Sequence, residues 1–204
     1  MKVRLTKGEL KRQRDALRQY ERFLPTLQLK KQQLQLEILH QLDLLAAKKA
    51  QFSSSKELAL SWAGLLGEGT VEIKNLLGFN KVVYTTKNIA GVDIPIFERV
   101  DFTQSEYDLF LTPLWVDLAI ESLQQLVSLK EAIRIIERGV GILRHELRVT
   151  TQRVNLFEKV KIPQAQEAIR LIKIYIGDQM ANAVGRSKIA KRKIEEYREL
   201  SLAA

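Results

Sequence analysis

The side chains that could perform catalysis or bind a metal ion are few and scattered in this sequence. His40 and His145 are the only histidines, and there is no cysteine. Neither histidine has a second histidine or a pair of carboxylates at helical spacing, which a metal site or a general base would need. The glycines at positions 64, 67 and 69 lack the Gly-Lys-Ser/Thr that completes a phosphate-binding loop. The residues therefore predict no catalytic, cofactor or metal site, and two solvent-exposed histidines.

A basic run near the C-terminus, from Arg186 to Lys193, is the strongest candidate for binding a polyanion. Lysine and arginine supply an electrostatic attraction to phosphates that does not depend on base sequence. Aromatic side chains, which stack on unpaired bases, are missing around this run. Two interpretations stay open on the residues alone: a patch that binds nucleic acid, or the basic end of a helix that faces solvent or another protein.

Composition and charge limit the class of protein. The chain has 204 residues, of which 46% are hydrophobic and 28% charged, as in ordered soluble proteins. No apolar run approaches the ~20 residues that span a bilayer, and the N-terminus lacks the apolar core of a signal peptide, so we expect a cytoplasmic protein. The net charge of +9 is uneven: both ends are basic, and residues 51–147 are mildly acidic. A partner with negative surface at one end is expected.

The elements that would position these residues are two long helices, each with a narrow apolar seam. Apolar residues recur in steps of three and four near both ends of the chain, which predicts two helices that pair with each other. We predict that the following residues form the seam: Leu10, Leu17, Leu24, Leu27, Leu34, Ile38, Leu45, Ile133, Ile136, Val140, Leu143, Leu147, Val154, Phe157, Ile169, Ile172 and Ile176. Leu111, Trp115 and Leu118 are expected to join it upstream. The series thins toward Ala183, Ala190 and Tyr197, where we expect weak pairing.

Three local signals mark the start and the irregularities of these helices. Thr6 and Glu9 have the spacing of a capping box, in which each side chain bonds the backbone of the other. Pro25 lies inside the first periodic run and predicts a kink rather than an end. The pair Ile162 and Pro163 interrupts the phase of the second run.

A Gly-rich insert with β-strand composition separates the two helices. Residues 82–86 and 92–97 are rich in β-branched and aromatic residues, and the turn candidate 88–91 lies between them. Val71 and Ile73 have the same composition. Pro95 cannot donate to a ladder, so the return strand must be an edge strand or part of a two-stranded hairpin. A lone hairpin is marginal in water, and we expect it to pack on the helices or on another protein.

The predicted fold is mainly α: a long antiparallel two-helix coiled coil of N- and C-terminal helices with a short central helix and β-hairpin insert. The expected boundaries are 1–60 for the N-terminal coiled-coil helix, 61–104 for the insert and 105–204 for the C-terminal coiled-coil helix. A basic coiled-coil binding module, for nucleic acid or as an adaptor in a secretion apparatus, is one function that fits this outline.

Three strings of residues resemble a known family. They are Leu-Thr-Lys-Gly-Glu-Leu at 5–10, Ala-Gly-Val-Asp-Ile-Pro-Ile-Phe at 90–97, and Arg-Val-Asn-Leu-Phe-Glu at 153–158 followed by Ile-Pro at 162–163. In this order and spacing they are similar to the D subunits of the vacuolar/archaeal-type (V/A-type) rotary ATPases, of the bacterial branch. Gln152 and Phe157 replace residues typical of the family, and most members lack a counterpart of Pro25.

The resemblance implies a non-catalytic central-stalk rotor shaft without cofactors. Such a shaft couples ATP hydrolysis or synthesis in a catalytic hexamer to rotation of the membrane ring that moves ions. The implied partners are the catalytic and regulatory subunits of the hexamer, the small F subunit of the stalk and a funnel-shaped subunit that links to the membrane ring, with no nucleic acid. The implied location is cytoplasmic and peripheral to the membrane, within a membrane-bound complex.

The resemblance also assigns two contact regions. A basic tip facing the hexamer would comprise Lys7, Arg14, Arg186, Lys188, Lys191 and Arg192. The hairpin residues that would contact a partner subunit are Tyr84, Gly91, Val92, Pro95 and Phe97. On the residues alone, Tyr84 and Phe97 could equally pack the hairpin onto the helices.

Overall fold

A computed structural model of the chain describes residues 4–64, 77–103, 112–113 and 115–202. The elements, in chain order, are helix α1 (Lys7–Trp62), strands β1 (Phe79–Ile89) and β2 (Val92–Phe102), helix α2 (Trp115–Leu156), a π-helical turn (Phe157–Lys161) and helix α3 (Ile162–Leu202). The predicted strand residues Val71 and Ile73 and the rest of the Gly-rich entry, 65–76, lie outside the described residues. So does the predicted start of the second long helix at 105–111.

The chain divides into two compact units. The first unit is Met1–Gln28 with Gln152–Ala204, and the second is Leu29–Thr151. Each unit therefore combines a part of α1 with residues from the C-terminal half of the chain. No helix in the described part of the chain is long and apolar enough to cross a bilayer. The predicted boundaries at residues 60 and 104 stay predictions.

Helix α1 begins with half of the predicted capping box. The hydroxyl of Thr6 accepts a hydrogen bond from the backbone N–H of Glu9 at 3.2 Å, which satisfies one unpaired donor of the first turn. The other bond of a capping box would join the backbone N–H of Thr6 to the Glu9 carboxylate. Here that N–H donates to the carbonyl of Arg4 instead. The carboxylate of Glu9 instead accepts from the Gln13 side chain at 2.7 Å.

Pro25 lies within α1 without ending it. Because proline has no N–H, the carbonyl of Glu21 loses its helical donor. The hydroxyl of Thr26 donates to the carbonyl of Phe23 at 2.8 Å, so this turn also carries a side-chain hydrogen bond. The helix is continuous through the site, and the predicted kink stays a prediction.

The core of the second unit joins both helices to the hairpin. Leu34 and Ile38 of α1 pack with Leu143 of α2 and with Val92 and Ile94 of β2. Leu34 and Leu143 have no exposed surface. The hairpin therefore packs on the helices, one of the two alternatives that the sequence left open.

Two ion pairs show how α1 and α2 run in this unit. The Nζ of Lys30 lies 2.9 Å from the carboxylate of Glu146, and the Nζ of Lys49 lies 2.7 Å from that of Glu137. The residue number rises along α1 as it falls along α2, so the helices are antiparallel. Together with the two-stranded insert, this confirms the predicted fold class.

The hairpin has a two-residue turn. Ile89 pairs with Val92, and the loop residues Ala90 and Gly91 have φ values of 51° and 76°. Positive φ at both loop positions matches the right-handed twist of the strands. The Asn88 side chain accepts from the N–H of Gly91 at 3.1 Å and donates to Asp93 at 2.7 Å. The predicted strands are confirmed, with a turn two residues shorter than the predicted 88–91.

The start of α2 corrects one sequence prediction. The apolar spacing places Leu118 in the seam, but 68% of its surface is exposed, whereas Val116, Ala119 and Ile120 are buried. Residues at positions 116, 119 and 120 lie on one side of a helix, and position 118 lies away from them. Leu118 has the right spacing from Leu111 and Trp115, but the buried face of α2 is the one that contains Val116.

The first unit contains the start of α1 (residues 7–28), the end of α2 (residues 152–156), the π-helical turn and α3. The rings of Tyr20 and Phe157 lie 5.4 Å apart in a tilted arrangement. On α3 the buried face consists of Ala165, Ala168, Ile169 and Ile172, and its two alanines permit a close approach of the neighbouring helix.

The π-helical turn coincides with the predicted break in phase at Ile162 and Pro163. The N–H of Ile162 donates to the carbonyl of Phe157, five residues back instead of four. One extra residue is thereby accommodated between the seam residue Phe157 and the half-buried Ile162. The helix continues into α3, where Ala165, Ala168, Ile169 and Ile172 are buried.

Candidate interaction surfaces

The residues predicted for the seam are all at least partly buried. Seven of them are buried: Leu34, Ile38, Val140, Leu143, Val154, Ile169 and Ile172. The remaining ten are half-buried. Burial is what a helix-pairing seam requires, and the role of these residues in holding the helices together stays a prediction.

The basic residues assigned to the tip are all exposed. They are Lys7 and Arg14 on α1, and Arg186, Lys188, Lys191 and Arg192 on α3. Lys191 forms a long ion pair with Glu195 at 3.8 Å, in which both side chains are mostly exposed. Pairs of this kind contribute little to stability, so these charges are available to a partner.

The C-terminal half of α3 corrects the expectation of weak pairing there. From Gly177 to Arg198 every side chain is exposed, including Ala183 and Ala190, and Tyr197 is 76% exposed. Tyr20 lies against Phe157, so in an antiparallel pair Lys7 lies level with roughly residue 170. Because α1 begins there, the described residues provide no helix to cover the rest of α3.

Sequence reasoning missed the apolar residues on this uncovered segment. Met180, Val184, Ile189 and Ile194 are each more than half exposed. Met180, Ala183, Ala190 and Ile194 continue the three-and-four spacing of the buried face. The available signal was the predicted helix start at Thr6, because a partner helix that starts at Lys7 is too short to pair with them.

The hairpin residues assigned to a partner differ in exposure. Tyr84 is 53% exposed, while Val92 is 9% exposed and packs in the core. Gly91 is exposed, and Pro95 and Phe97 are half-buried. Val92 therefore has little surface left for a partner, whereas Tyr84 and Gly91 have much.

A cleft lies between the hairpin and α2. It is lined by Val82, Tyr84 and Pro95 from the hairpin and by Glu131, Arg134, Ile135 and Arg138 from α2, and its volume is about 280 Å³. We call it the hairpin cleft. The sequence prediction included two of its hairpin residues, Tyr84 and Pro95, but none of its α2 residues. Ile135 was missed because it lies beside the predicted seam, and the two arginines were missed because no partner had been assigned to them.

The two histidines and the Glu167 carboxyl lie on exposed helix faces. His40 and His145 are exposed, and no three ligating side chains within the described ranges are placed to hold a metal ion. Two hydrogen bonds from Arg170, of 2.7 and 2.8 Å, lower the pKa of the Glu167 carboxyl. This pair is exposed on α3, and its charges remain opposite and constant near neutral pH.

Comparison with known proteins identifies one family. The family described as the D subunit of ATP synthase matches residues 9–192. The D subunit of the V-type ATP synthase of Borreliella burgdorferi is 41% identical over 201 residues, which cover 98% of this chain and 99% of that protein.

Two further relatives have the same name. The D subunit of the V-type ATP synthase of Chlamydia trachomatis serovar L2 is 32% identical over 199 residues, 97% of this chain and 98% of that protein. That of Chlamydia abortus is 32% identical over 204 residues, 99% of this chain and 98% of that protein. The resemblance in the three sequence strings is thus confirmed across nearly the whole length, and the chain belongs to the family of ATP synthase D subunits.

Proposed function

We propose that this chain is the non-catalytic central shaft of a V/A-type rotary ATPase. In this role it couples ATP hydrolysis or synthesis in a catalytic hexamer to rotation of a membrane ring that moves ions. The family membership supports a place in such an enzyme and favours it over a basic coiled-coil module that binds nucleic acid or a secretion apparatus. The shaft works in the cytoplasm, peripheral to the membrane, as part of the membrane-bound complex.

The observation that carries the proposal is the uncovered basic segment of α3. Residues 177–198 extend past the point where α1 begins, and their side chains are exposed. A helix end with exposed methionine, isoleucine and tyrosine side chains is costly in water unless another protein covers it. In the proposed complex the hexamer covers this segment, together with Lys7 and Arg14.

Torque requires a surface that differs from one side of the shaft to another. A symmetric shaft would affect each catalytic site equally, and rotation could then not favour one site over the next. The π-helical turn at Phe157–Lys161 and Pro25 in α1 break the regular helical repeat. We propose that these irregularities give the hexamer-facing part of the chain its asymmetry.

The remaining partners are assigned by region. The hairpin side of the second unit faces the small F subunit of the stalk, and the funnel-shaped subunit joins the shaft to the membrane ring. The exposed Tyr84 and Gly91 support a contact at the hairpin.

The test is to shorten the uncovered segment in the reconstituted enzyme. A chain that ends at Asn182 loses only residues 183–204, whose described side chains are exposed, so its melting temperature should match that of the full chain. We expect ATP hydrolysis to drive far less ion uptake into proteoliposomes per ATP consumed. Unchanged ion uptake per ATP would contradict the torque role of this segment.

A second variant separates charge from length. Replacing Arg186, Lys188, Lys191 and Arg192 together by glutamine keeps the helix and removes four positive charges. If charge guides the contact with the hexamer, this full-length variant should bind the hexamer more weakly at physiological salt than the wild type, and the difference should shrink at high salt.

A further inference from the structure

The hairpin cleft combines an apolar floor with two arginines at its edge. Val82 and Pro95 of the hairpin face Ile135 of α2 across the cleft. Ile135 is buried, whereas Arg134 and Arg138 are exposed. The apolar side chains would contact a hydrocarbon group, and the guanidinium groups would bind an acidic one.

The two arginines are not neutralised to the same extent. Arg134 lies 3.6 Å from the carboxylate of Glu131, with 81% of the arginine side chain exposed. Within the described ranges no carboxylate lies close enough to pair with Arg138. With one carboxylate and two guanidinium groups, the cleft has a net positive charge. This contrasts with residues 51–147 as a whole, which carry more acidic than basic side chains.

The hairpin wall of the cleft is fixed in position. Ile94 is 1% exposed in the core, and the carbonyl of Pro95 would lie 3.8 Å from a Cβ placed on Gly139 of α2. The strand register shifts between Val83 and Tyr84. Such a bulge changes the direction of the neighbouring side chains, and Tyr84 lines the cleft while remaining 53% exposed.

The size of the cleft favours part of a protein over a small molecule. Ligand pockets for drug-sized molecules usually enclose ~300–1,000 Å³ and bury most of the ligand. At about 280 Å³ and open on one side, the hairpin cleft has room for one or two side chains. A nucleic-acid backbone fits less well, because Glu131 and the apolar floor would face its phosphates.

We propose that the hairpin cleft receives an acidic segment of another protein subunit. An aspartate or glutamate of that segment binds Arg138, and an adjacent apolar side chain lies on Val82, Pro95 and Ile135. The hydroxyl of Tyr84 is at the edge, where it can hydrogen-bond to the segment. The proposal rests on the assembly of this chain into a larger enzyme, as proposed above, and adds the chemistry of one contact.

The experiment places a photoreactive side chain at the cleft in the assembled enzyme. Tyr84→p-benzoylphenylalanine keeps an aromatic ring in place and forms a covalent bond with its neighbour on irradiation. Mass spectrometry of the cross-linked peptide then identifies the segment. We expect a peptide of another subunit in which an aspartate or glutamate is next to an apolar residue.

Charge-reversal variants test the role of the arginines. Arg138→Glu should reduce the cross-linking yield about tenfold, as expected when a charge-assisted contact becomes repulsive. The matched control is Arg144→Glu, an exposed arginine of α2 outside the cleft, which should leave the yield within about twofold. Replacing the identified partner carboxylate by lysine should restore the yield in the Arg138→Glu chain.

The outcomes separate this inference from the proposed function. If the complex assembles but gives no cross-link, or a cross-link to nucleic acid or to a peptide without a carboxylate, the cleft does not bind an acidic segment. An equal yield in the Arg138→Glu and Arg144→Glu complexes has the same meaning. If the wild-type chain does not assemble with ATPase subunits at all, the proposed function and this inference both fail.

Discussion

Individual leucines show how far the apolar pattern determines burial. The spacing predicts Leu34 and Leu143 in the seam, and both are completely buried. Leu36, only two residues from Leu34, is 68% exposed, because it lies on the opposite side of α1. The spacing of apolar residues distinguishes these positions, whereas hydrophobicity alone does not.

This difference predicts the effect of truncating each side chain. Leu143→Ala should lower the free energy of unfolding by about 2–5 kcal/mol, because it removes a fully packed side chain and leaves a cavity. Leu36→Ala should change it by less than about 0.5 kcal/mol. Urea unfolding followed by circular dichroism measures both. Similar values for the two variants would mean that the pairing of α1 with α2 is wrongly assigned.

Gly78 is a residue whose importance the sequence did not reveal. Its φ is +51°, and its carbonyl accepts a hydrogen bond from the N–H of Thr103, which closes the base of the hairpin. A Cβ on Gly78 would clash with the carbonyl oxygen of Thr103. The sequence marks the insert as Gly-rich, but only the φ of Gly78 and the position of Thr103 show that this glycine is required.

The second prediction compares two glycine-to-alanine substitutions. Gly78→Ala should destabilise the hairpin by more than about 1 kcal/mol, because it adds backbone strain and a contact that cannot be relieved without moving the strand. Gly141→Ala, in the middle of α2 with nothing within 4 Å of the new Cβ, should stabilise the chain by about 0.5–1 kcal/mol. Thermal unfolding should therefore shift in opposite directions. Equal shifts would refute the geometry at the hairpin base.

Among the elements, the sequence predicted those with a strong local period. The strands rich in β-branched residues and the continuation of α1 through Pro25 agree with the structure, and the residues predicted for the seam are buried or half-buried. The burial of Val116 in place of Leu118, the hairpin cleft and the uncovered part of α3 were not predicted. Each of these depends on which residues face each other in three dimensions, and periodicity along one segment does not contain that information.

The π-helical turn can be explained from the sequence once its position is known. Phe157 of the seam and the half-buried Ile162 are five positions apart, one more than the regular steps of three and four. Pro163, which follows directly, lacks an N–H and would clash with a carbonyl in a regular helix. A wider turn accommodates both the extra residue and the proline ring.

The third prediction follows from this explanation. Deleting Val160 alone should cost about 3 kcal/mol or more, because Pro163 would then lie inside a regular α-helix. Deleting Val160 together with Pro163→Ala should recover most of this loss, since the seam then continues in steps of three and four. Chemical denaturation measures both variants. If the double variant is no more stable than the single deletion, the proline does not explain the turn.

For the whole molecule, the sequence strings identified the family and the charge distribution indicated where partners bind. Both ends of the chain are basic, and the assigned tip residues are exposed. What the chain does in an enzyme depends on surfaces of other subunits. The exposed basic and apolar side chains of the described residues therefore support the proposed role as a shaft. Rotation of the chain is tested by a separate measurement.

Rotation of the chain inside the hexamer can be observed directly with a bead attached to the hairpin. The chain has no cysteine, so Lys87→Cys, at an exposed position in β1, provides a unique attachment point for a bead. With the hexamer fixed to a surface, we predict that ATP makes the bead turn in one direction and that removing ATP stops it. A bead that stays still while the same hexamers hydrolyse ATP at the full rate would contradict the account.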